Sequence, residues 1–259
     1  MPDPLRLHVE PSLRDPSLVL SFEGWNDAGE AASGAAEFLA RSLGAVPLAD
    51  IDCEEYYDFT VCRPLVRLDE GRVRRIDWPH YEFRFGTVPE RCEVVIGLGP
   101  EPHLRWRSFC DHVVRLVERL RVRRVVLLGA FLADVLYSRP VRVSGFASRP
   151  GCMERLGVEP SGYEGPTGIV GVLAERLRGP GVEVVSLWAG LPHYITVSPN
   201  PRGALALVQT AAELLDLPVD REPLERSAAD FEQQVSKLVA SDPALSEYVK
   251  ELKRREFAQ

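Results

Sequence analysis

The chain has 259 residues, of which 45% are hydrophobic and 27% charged, and these values suit one large globular domain or one domain with an appendage. Its formal net charge of −7 disfavours nucleic acid and a bare membrane surface as partners, because both are also negative. The five cysteines are odd in number, widely spread and without a CxxC pair, which favours reduced thiols in a cytoplasm over a disulfide framework or a zinc site.

The first predicted unit, residues 18–43, is a buried strand, an acidic turn and a helix. Residues 18–22 form a short continuous apolar run, as in a strand covered on both faces. Asp27 then occupies an N-cap position, with Glu30 in the capping-box position ahead of apolar residues at helical spacing. Such a turn, at the carboxyl end of a parallel strand, is where α/β proteins place ligand sites, so Glu23 is a candidate acid or base. The alternative is that Asp27 only caps the helix and that Trp25 fills a hydrophobic gap.

A run of predicted strands follows, and from residue 92 onward strands and helices alternate. The apolar patterns predict strands at residues 48–59, 72–78, 81–88, 92–98, 124–131, 141–146 and 182–188. They predict helices at residues 103–121, 153–156, 167–178 and 202–217. Residues 92–128 therefore form a βαβ unit with a right-handed crossover. The alternation predicts a three-layer α/β/α sandwich with a mostly parallel central sheet.

Pro218 marks a predicted boundary. Beyond it, residues 222–240 and 244–257 have narrow apolar stripes, which predict a helical hairpin lying on the body or on a neighbouring subunit. We therefore expect an α/β/α domain over residues 1–217 and a C-terminal helical extension over residues 218–259.

Two later loops also carry candidate site residues. The glycine-rich stretch YEGPTG (163–168) opens a helix, so its N–H groups and the Thr167 hydroxyl are a candidate anion site, although such loops are also common packing turns. His193 follows an expected strand end and is the best placed of the five histidines for proton transfer, although a lone histidine is more commonly structural.

Several catalytic classes are excluded by what the chain lacks. It has no G-x-S-x-G nucleophile motif, no dinucleotide fingerprint and no metal-ligand spacing. All three lysines lie near the C-terminus, which excludes a Walker A loop or a Schiff-base lysine in the body. No run approaches eighteen apolar residues, and the first residues lack a signal-peptide pattern. We expect a soluble, cytoplasmic protein with no cofactor, no metal and no assigned catalytic residue.

Five segments, taken in order, resemble the proteasome assembly chaperone 2 (PAC2) family in its actinobacterial branch. They are FEGWNDAG (22–29), GPEP (99–102), GAFLADVLYSRPV (129–141), YEGPTGIVGVL (163–173) and LWAGLPHYITVSPNPRGALAL (187–207). The resemblance implies an α/β/α fold with a helical C-terminal segment. It also implies a role in protein assembly, which the eukaryotic members carry out on the proteasome α-ring without using ATP. The family-like candidate positions are Glu23, Trp25, Asp27, Gly29, Asp134, Arg139, Glu164, Gly165, Thr167, Gly168, His193 and Tyr194.

One departure from the family pattern bears on catalysis. Family members often carry Pro-His where this chain has Leu136-Tyr137. If that histidine is a catalytic base, this chain has lost it, which either disfavours an enzyme or moves the role to His193.

The combined pattern favours a non-enzymatic, homo-oligomeric assembly chaperone or protein-interaction module. Its contact surfaces would be the C-terminal helices and exposed loops, and its partner would be a protein client, proteasome-related by resemblance, with neither nucleic acid nor membrane. The alternative is a hydrolase- or phosphorylase-like enzyme or small-molecule binder whose pocket lies at the carboxyl ends of the strands. That pocket would be formed by Glu23, Asp27, Asp134, Arg139, Glu164, Thr167 and His193. A purely structural oligomeric scaffold is a third possibility.

Overall fold

A large sheet forms the middle layer of the protein. The computed structural model describes residues 3–69, 71, 73–88, 92–178 and 181–257. The strands are β1 (Leu5–Leu7), β2 (Ser17–Leu20), β3 (Val46–Ile51), β4 (Leu65–Asp69), β5 (Val73–Asp77), β6 (Tyr81–Val88), β7 (Cys92–Leu98), β8 (Arg124–Ala133), β9 (Val143–Ala147), β10 (Glu159–Pro160) and β11 (Glu183–Pro192). Nine of them form one sheet in the order β1-β3-β6-β7-β2-β8-β11-β9-β10, and β4 and β5 form a separate pair.

The centre of the sheet is parallel and its flanks are mainly antiparallel. Strands β7, β2, β8 and β11 run parallel as neighbours. Strands β6, β3 and β1 continue antiparallel on one side, and β9 is antiparallel to β11 on the other. The carboxyl ends of the four central strands therefore meet at one edge. We call this edge, formed by residues 21–27, 99–105, 131–142 and 190–200, the carboxyl edge.

Helices cover both faces of the sheet. They are α1 (Ala31–Ser42), α2 (Trp106–Leu120), α3 (Cys152–Arg155), α4 (Ile169–Arg176), α5 (Pro201–Leu215), α6 (Glu222–Ser241) and α7 (Pro243–Phe257). Helices α1 and α5 pack on one face and α2 and α4 on the other, over two separate apolar clusters. Leu18 and Leu20 belong to one cluster and Val19 to the other, since alternate side chains of a strand face opposite ways. The predicted α/β/α fold is confirmed.

Two central strands are longer than predicted. Strand β8 extends to Ala133 and β11 to Pro192, so residues 132, 133 and 189–192 are strand rather than loop. The two strands are paired in register over their whole length, from Arg124 and Glu183 onward. Pairing continues to the ends because each strand satisfies the backbone groups of the other.

Smaller differences occur near the N-terminal half. Strand β3 ends at Ile51, so residues 52–59, predicted as extended, are mainly turns that place Tyr56 and Tyr57 in the core. Strand β5 occupies the second predicted β segment, of which Arg72 lies outside the described residues.

The two C-terminal helices form as predicted and pack on the protein's own body. Phe231 and Val235 of α6 and Leu252 of α7 share an apolar cluster with Leu136 and Ile195 from loops of the carboxyl edge. The boundary at residue 218 stays a prediction. Among the described residues, no helix has the length and apolarity needed to cross a membrane.

Candidate functional site

Asp27 caps α1 from the turn that follows β2. Its Oδ1 accepts hydrogen bonds from the backbone N–H groups of Ala32 (2.6 Å) and Ser33 (3.2 Å), and its Oδ2 accepts one from the Ser33 hydroxyl. A short 3-10 turn, Ala28–Glu30, precedes the helix, so the helix begins at Ala31 and the cap reaches over this turn. The predicted capping role of Asp27 is confirmed by these bonds.

Glu30 does not complete a capping box. Its backbone is left-handed, with φ of 52°, and its carboxylate accepts a hydrogen bond from the Ser198 hydroxyl at 2.7 Å. The 3-10 turn moves Glu30 out of the third helical position, so the capping-box prediction is wrong. Glu30 instead joins the turn to the loop after β11.

The turn is strongly acidic. Burial raises the pKa of the Asp27 carboxyl, although its hydrogen bonds from Ser33 and Ala32 act in the opposite direction. Partial desolvation also raises the pKa of Glu23, whose side chain reaches the surface, and the nearby negative charges of Asp27 and Glu30 add to this effect. A turn of this charge repels anions rather than binding them.

Glu101 fills the predicted anion site at the start of α4. One of its carboxylate oxygens accepts hydrogen bonds from the Ile169 N–H, at 2.7 Å, and from the amide group of the buried Asn26, at 2.8 Å. A carboxylate is favourable at a helix N-terminus because it satisfies unpaired N–H groups and the helix dipole. The position that the sequence assigned to an external anion is therefore occupied by the protein's own side chain.

Gly168 is held tightly against this network. A Cβ atom on Gly168 would lie 2.6 Å from the Asn26 amide nitrogen and 2.7 Å from the Glu101 carboxylate. Glycine is therefore needed here for close approach rather than for its backbone angles. The predicted Thr167 hydroxyl only reaches the carbonyl of Gly168, at 3.4 Å.

The rest of this loop closes on itself. The Tyr163 hydroxyl donates to the Pro166 carbonyl at 2.9 Å, next to Gly165, while Glu164 is exposed. The resemblance included Glu101 only as part of a motif, and the sequence reasoning did not select Asn26. No local pattern reveals their interaction, because residues 26, 101 and 169 are far apart in the chain.

His193 and Tyr194 join the body to α7. The His193 Nδ1 atom lies 3.0 Å from the Asp134 carboxylate, and its Nε2 atom lies 3.4 Å from the Tyr248 hydroxyl. The Tyr194 hydroxyl donates to the Val135 carbonyl at 3.0 Å, and the rings of His193, Tyr194 and Tyr248 meet edge to face. Both ring nitrogens of His193 thus have partners, Nδ1 at the end of β8 and Nε2 on α7.

A groove of about 810 Å³ lies between residues 134–142 and the C-terminal helices. Asp134 and Arg139 are the members of the predicted site that line it. Arg139 is 3.3 Å from the carboxylate of Glu256 on α7. Leu136, which stands at one of the departures from the family pattern, is buried in the cluster beneath these helices.

The predicted residues thus divide into two groups along the carboxyl edge. One group surrounds the turn at Glu23 to Gly29, with Gly168 held next to it, and the other surrounds Asp134, Arg139, His193 and Tyr194. Gly29 connects the two, because its carbonyl accepts from the Asn200 N–H at 2.7 Å. Within the described residues, no hydrogen bond or ion pair joins Glu23 or Glu164 to His193.

Large apolar side chains are exposed on the segments that form this edge and on the loop that precedes α4. We call them the apolar rim: Trp25, Leu104, Phe131, Leu132 and Tyr163. Trp25 is 60% exposed, so the alternative that it fills a hydrophobic gap is wrong. Exposed apolar side chains that form a contiguous patch mark interaction surfaces. In the part of the chain that the structure describes, no group of three or more His, Cys, Asp or Glu residues is arranged to hold a metal ion.

The family model built from PAC2 sequences matches residues 21–239 of this chain. The chain belongs to the PAC2 family. It is 41% identical to a proteasome-assembly chaperone homologue of Mycobacterium tuberculosis, with a TM-score of 0.81 over 90% of this chain and 99% of that one. It is 43% identical to a PAC2 family protein of Streptomyces avermitilis, with a TM-score of 0.82 over 91% of this chain and 100% of that one.

More distant structures share the fold. An archaeal proteasome activator of Pyrococcus furiosus is 18% identical, with a TM-score of 0.72 over 90% of this chain and 97% of that one. None of the curated proteins compared with the chain matches it. The predicted resemblance to the PAC2 family and to its actinobacterial members is confirmed.

Proposed function

We propose that this PAC2 protein is a non-enzymatic, ATP-independent assembly chaperone of the cytoplasm, and that its apolar rim binds a protein client. The observation that carries the proposal is the exposure of Trp25, Phe131 and Leu132 where an α/β enzyme would keep its catalytic groups. The relative from M. tuberculosis, described as a proteasome-assembly chaperone homologue, supports a proteasome subunit as the client.

The rim loops are fixed by backbone hydrogen bonds. The N–H of Glu23 donates to the Gly99 carbonyl and the N–H of Glu101 donates to the Glu23 carbonyl, both at 3.0 Å. The N–H of Ala130 donates to the Asn26 carbonyl at 2.8 Å. A surface held in this way loses little conformational entropy on binding, which favours affinity.

Charge around the rim indicates the chemistry of the client. Glu23, Glu30 and Glu164 are exposed near the rim, and no cation among the described residues forms an ion pair with them. An acidic surround with an aromatic centre suits a partner that presents apolar side chains bordered by Lys or Arg.

Binding to a purified proteasome α-subunit from the same organism tests this function. The assay is biolayer interferometry without nucleotide. Trp25→Ser is expected to raise the dissociation constant about 30-fold, because losing an aromatic hot spot costs about 2 kcal/mol of binding free energy. Val46→Ser is the matched control, since Val46 is also exposed but lies on β3, outside the rim. Equal affinities of the Trp25 variant and the wild type, or binding that requires ATP, would contradict the proposal.

The second candidate function, a small-molecule enzyme or binder, is favoured by one observation. The paired Asp134 and His193 lie at the carboxyl edge, and Asp134 lines the 810 Å³ groove. We would test it by incubating the protein with adenosine and inorganic phosphate and following base release by chromatography. Release that is lost in His193→Ala, with an unchanged melting temperature, would favour the enzyme over the chaperone.

A further inference from the structure

The groove between residues 134–142 and the C-terminal helices has the size and the apolar lining of a small-molecule site. Its volume of about 810 Å³ lies within the usual range of such sites, about 300–1,000 Å³. The apolar residues that line it belong to the cluster beneath the helices: Leu136, Ile195, Phe231, Val235 and Leu252. A ligand that fits this groove therefore has an apolar body, which these side chains remove from water.

Asn200 supplies an unused hydrogen-bond donor to the same groove. The residue lines the groove, is only 5% exposed and is the N-cap of α5. Its Oδ1 atom accepts a hydrogen bond from the Gly203 N–H at 3.1 Å, whereas its Nδ2 atom donates to no residue that the structure describes. Because a buried donor without an acceptor is unfavourable, a ligand atom that accepts from Nδ2 would stabilise this part of the groove.

Arg202 adds a positive charge two residues further along the chain. Its side chain also lines the groove and is 15% exposed. It donates to the carbonyl groups of Tyr137 and Arg139, which fix the guanidinium against the loop after β8. Its ion-pair partner, Glu232, lies 3.8 Å away, which is too far for a hydrogen bond. The positive end of the α5 dipole favours negative charge at the same place.

The acidic groups of the groove lie closer to solvent. The side chain of Asp134 is 74% exposed and that of Glu256 is 40% exposed. Each already has a partner, His193 for Asp134 and Arg139 for Glu256. The other cations that line the groove are more than half exposed: Arg139, Arg142 and Arg255. Among the described residues that line the groove, the most buried polar groups are therefore a free amide donor and one cation.

We propose that the groove binds a monocarboxylate with an aliphatic body, such as a medium-chain fatty acid. The carboxylate accepts from Nδ2 of Asn200 and pairs with Arg202, while the chain lies on the apolar lining. A planar carboxylate accepts from an amide and a guanidinium at the same time. One buried arginine balances one negative charge, which favours a carboxylate over a phosphate dianion. The site uses neither the apolar rim nor His193, so it is independent of both functions proposed above.

Isothermal titration calorimetry of the full chain with decanoate tests this site. We expect saturable binding of one decanoate per chain. Octanoate should bind about 15-fold more weakly, since each buried CH₂ group changes the dissociation constant about fourfold. Decanol has the same chain without the charge and should bind about tenfold more weakly, because it forms no charge-assisted hydrogen bond. Absence of saturable decanoate binding, or equal affinities for decanoate and decanol, would overturn the proposal.

The variant Asn200→Asp tests where the carboxylate lies. Aspartate keeps an N-cap acceptor for α5, so the melting temperature should stay close to that of the wild type, but it replaces the free donor with a negative charge. We expect the dissociation constant of decanoate to rise about tenfold or more. Gln233→Glu is the matched control, because Gln233 is exposed on α6 outside the groove and gains the same charge.

Trp25→Ser separates this groove from the apolar rim. This variant removes an exposed aromatic side chain of the rim and should leave decanoate binding unchanged, as should Gln233→Glu. Decanoate affinity that is unchanged in Asn200→Asp, or that is lost in Trp25→Ser, would place the ligand elsewhere and refute the site.

Discussion

Replacing Asp27 with alanine tests how the turn after β2 is coupled to the fold. The substitution removes three hydrogen bonds, to the N–H groups of Ala32 and Ser33 and to the Ser33 hydroxyl. Losing a helix cap costs about 1 kcal/mol, and leaving the fully buried Ala32 N–H unpaired costs about 1–3 kcal/mol. Removal of a desolvated carboxylate offsets part of this loss. We expect a net loss of about 2 kcal/mol of unfolding free energy.

Thermal melting followed by circular dichroism measures this loss. A chain of this length loses about 2–4 °C of melting temperature per kcal/mol, so Asp27→Ala should melt about 4–8 °C lower. Asp27→Asn keeps an acceptor oxygen for the helix and should lose about half as much. Glu37→Ala, an exposed change on the same helix, is the control and should change the stability by less than about 0.5 kcal/mol. If Asp27→Ala has the same melting temperature as Glu37→Ala, Asp27 does not stabilise the turn.

Two further changes test neighbouring parts of the edge. Gly168→Ala should destabilise the fold by about 1–3 kcal/mol, because its Cβ would collide with the Asn26 amide. Gly162→Ala, in the same loop, places its Cβ in open space and should leave the stability unchanged. Equal melting temperatures for the two variants would refute this packing. The raised pKa of Glu23 means that the folded state holds its proton more tightly than the unfolded state, so its contribution to stability is present at low pH and is lost as the pH rises through the raised pKa. The melting temperature of Glu23→Gln should therefore fall less steeply over that pH range than the melting temperature of the wild type. Identical curves of melting temperature against pH for the two proteins would contradict a raised pKa of Glu23.

The elements of the fold were largely predictable because their signals are local. Residues 92–98 and the helix beginning near residue 202 have apolar patterns that identify strand and helix directly. The ends of β8 and β11 were not predictable, since their last residues are ordered by pairing with each other rather than by their own pattern. The start of α1 was misplaced for a similar reason: Gly29 takes a left-handed backbone within a 3-10 turn held against Asn200.

The candidate site was predictable in location but not in arrangement. Every selected loop, including those of Asp27 and His193, adjoins a strand or helix end, as the rule for α/β proteins states. The sequence placed a possible anion at Thr167, but Glu101 supplies that anion from another loop. The sequence left open whether Trp25 is a site residue or a packing residue, because its environment depends on which loops surround it.

By itself, the sequence determined the alternation of elements, the family and the acidic turn that begins with Glu23, because each is written in residues that are neighbours in the chain. Tertiary structure decided that Asn26 and Glu101 meet at the start of α4, and that Trp25 remains exposed. It also left the β4–β5 hairpin outside the main sheet, with Val66, Leu68 and Ile76 exposed to solvent. The physical reason is that strand order brings distant segments together, and periodicity along the chain carries no information about strand order.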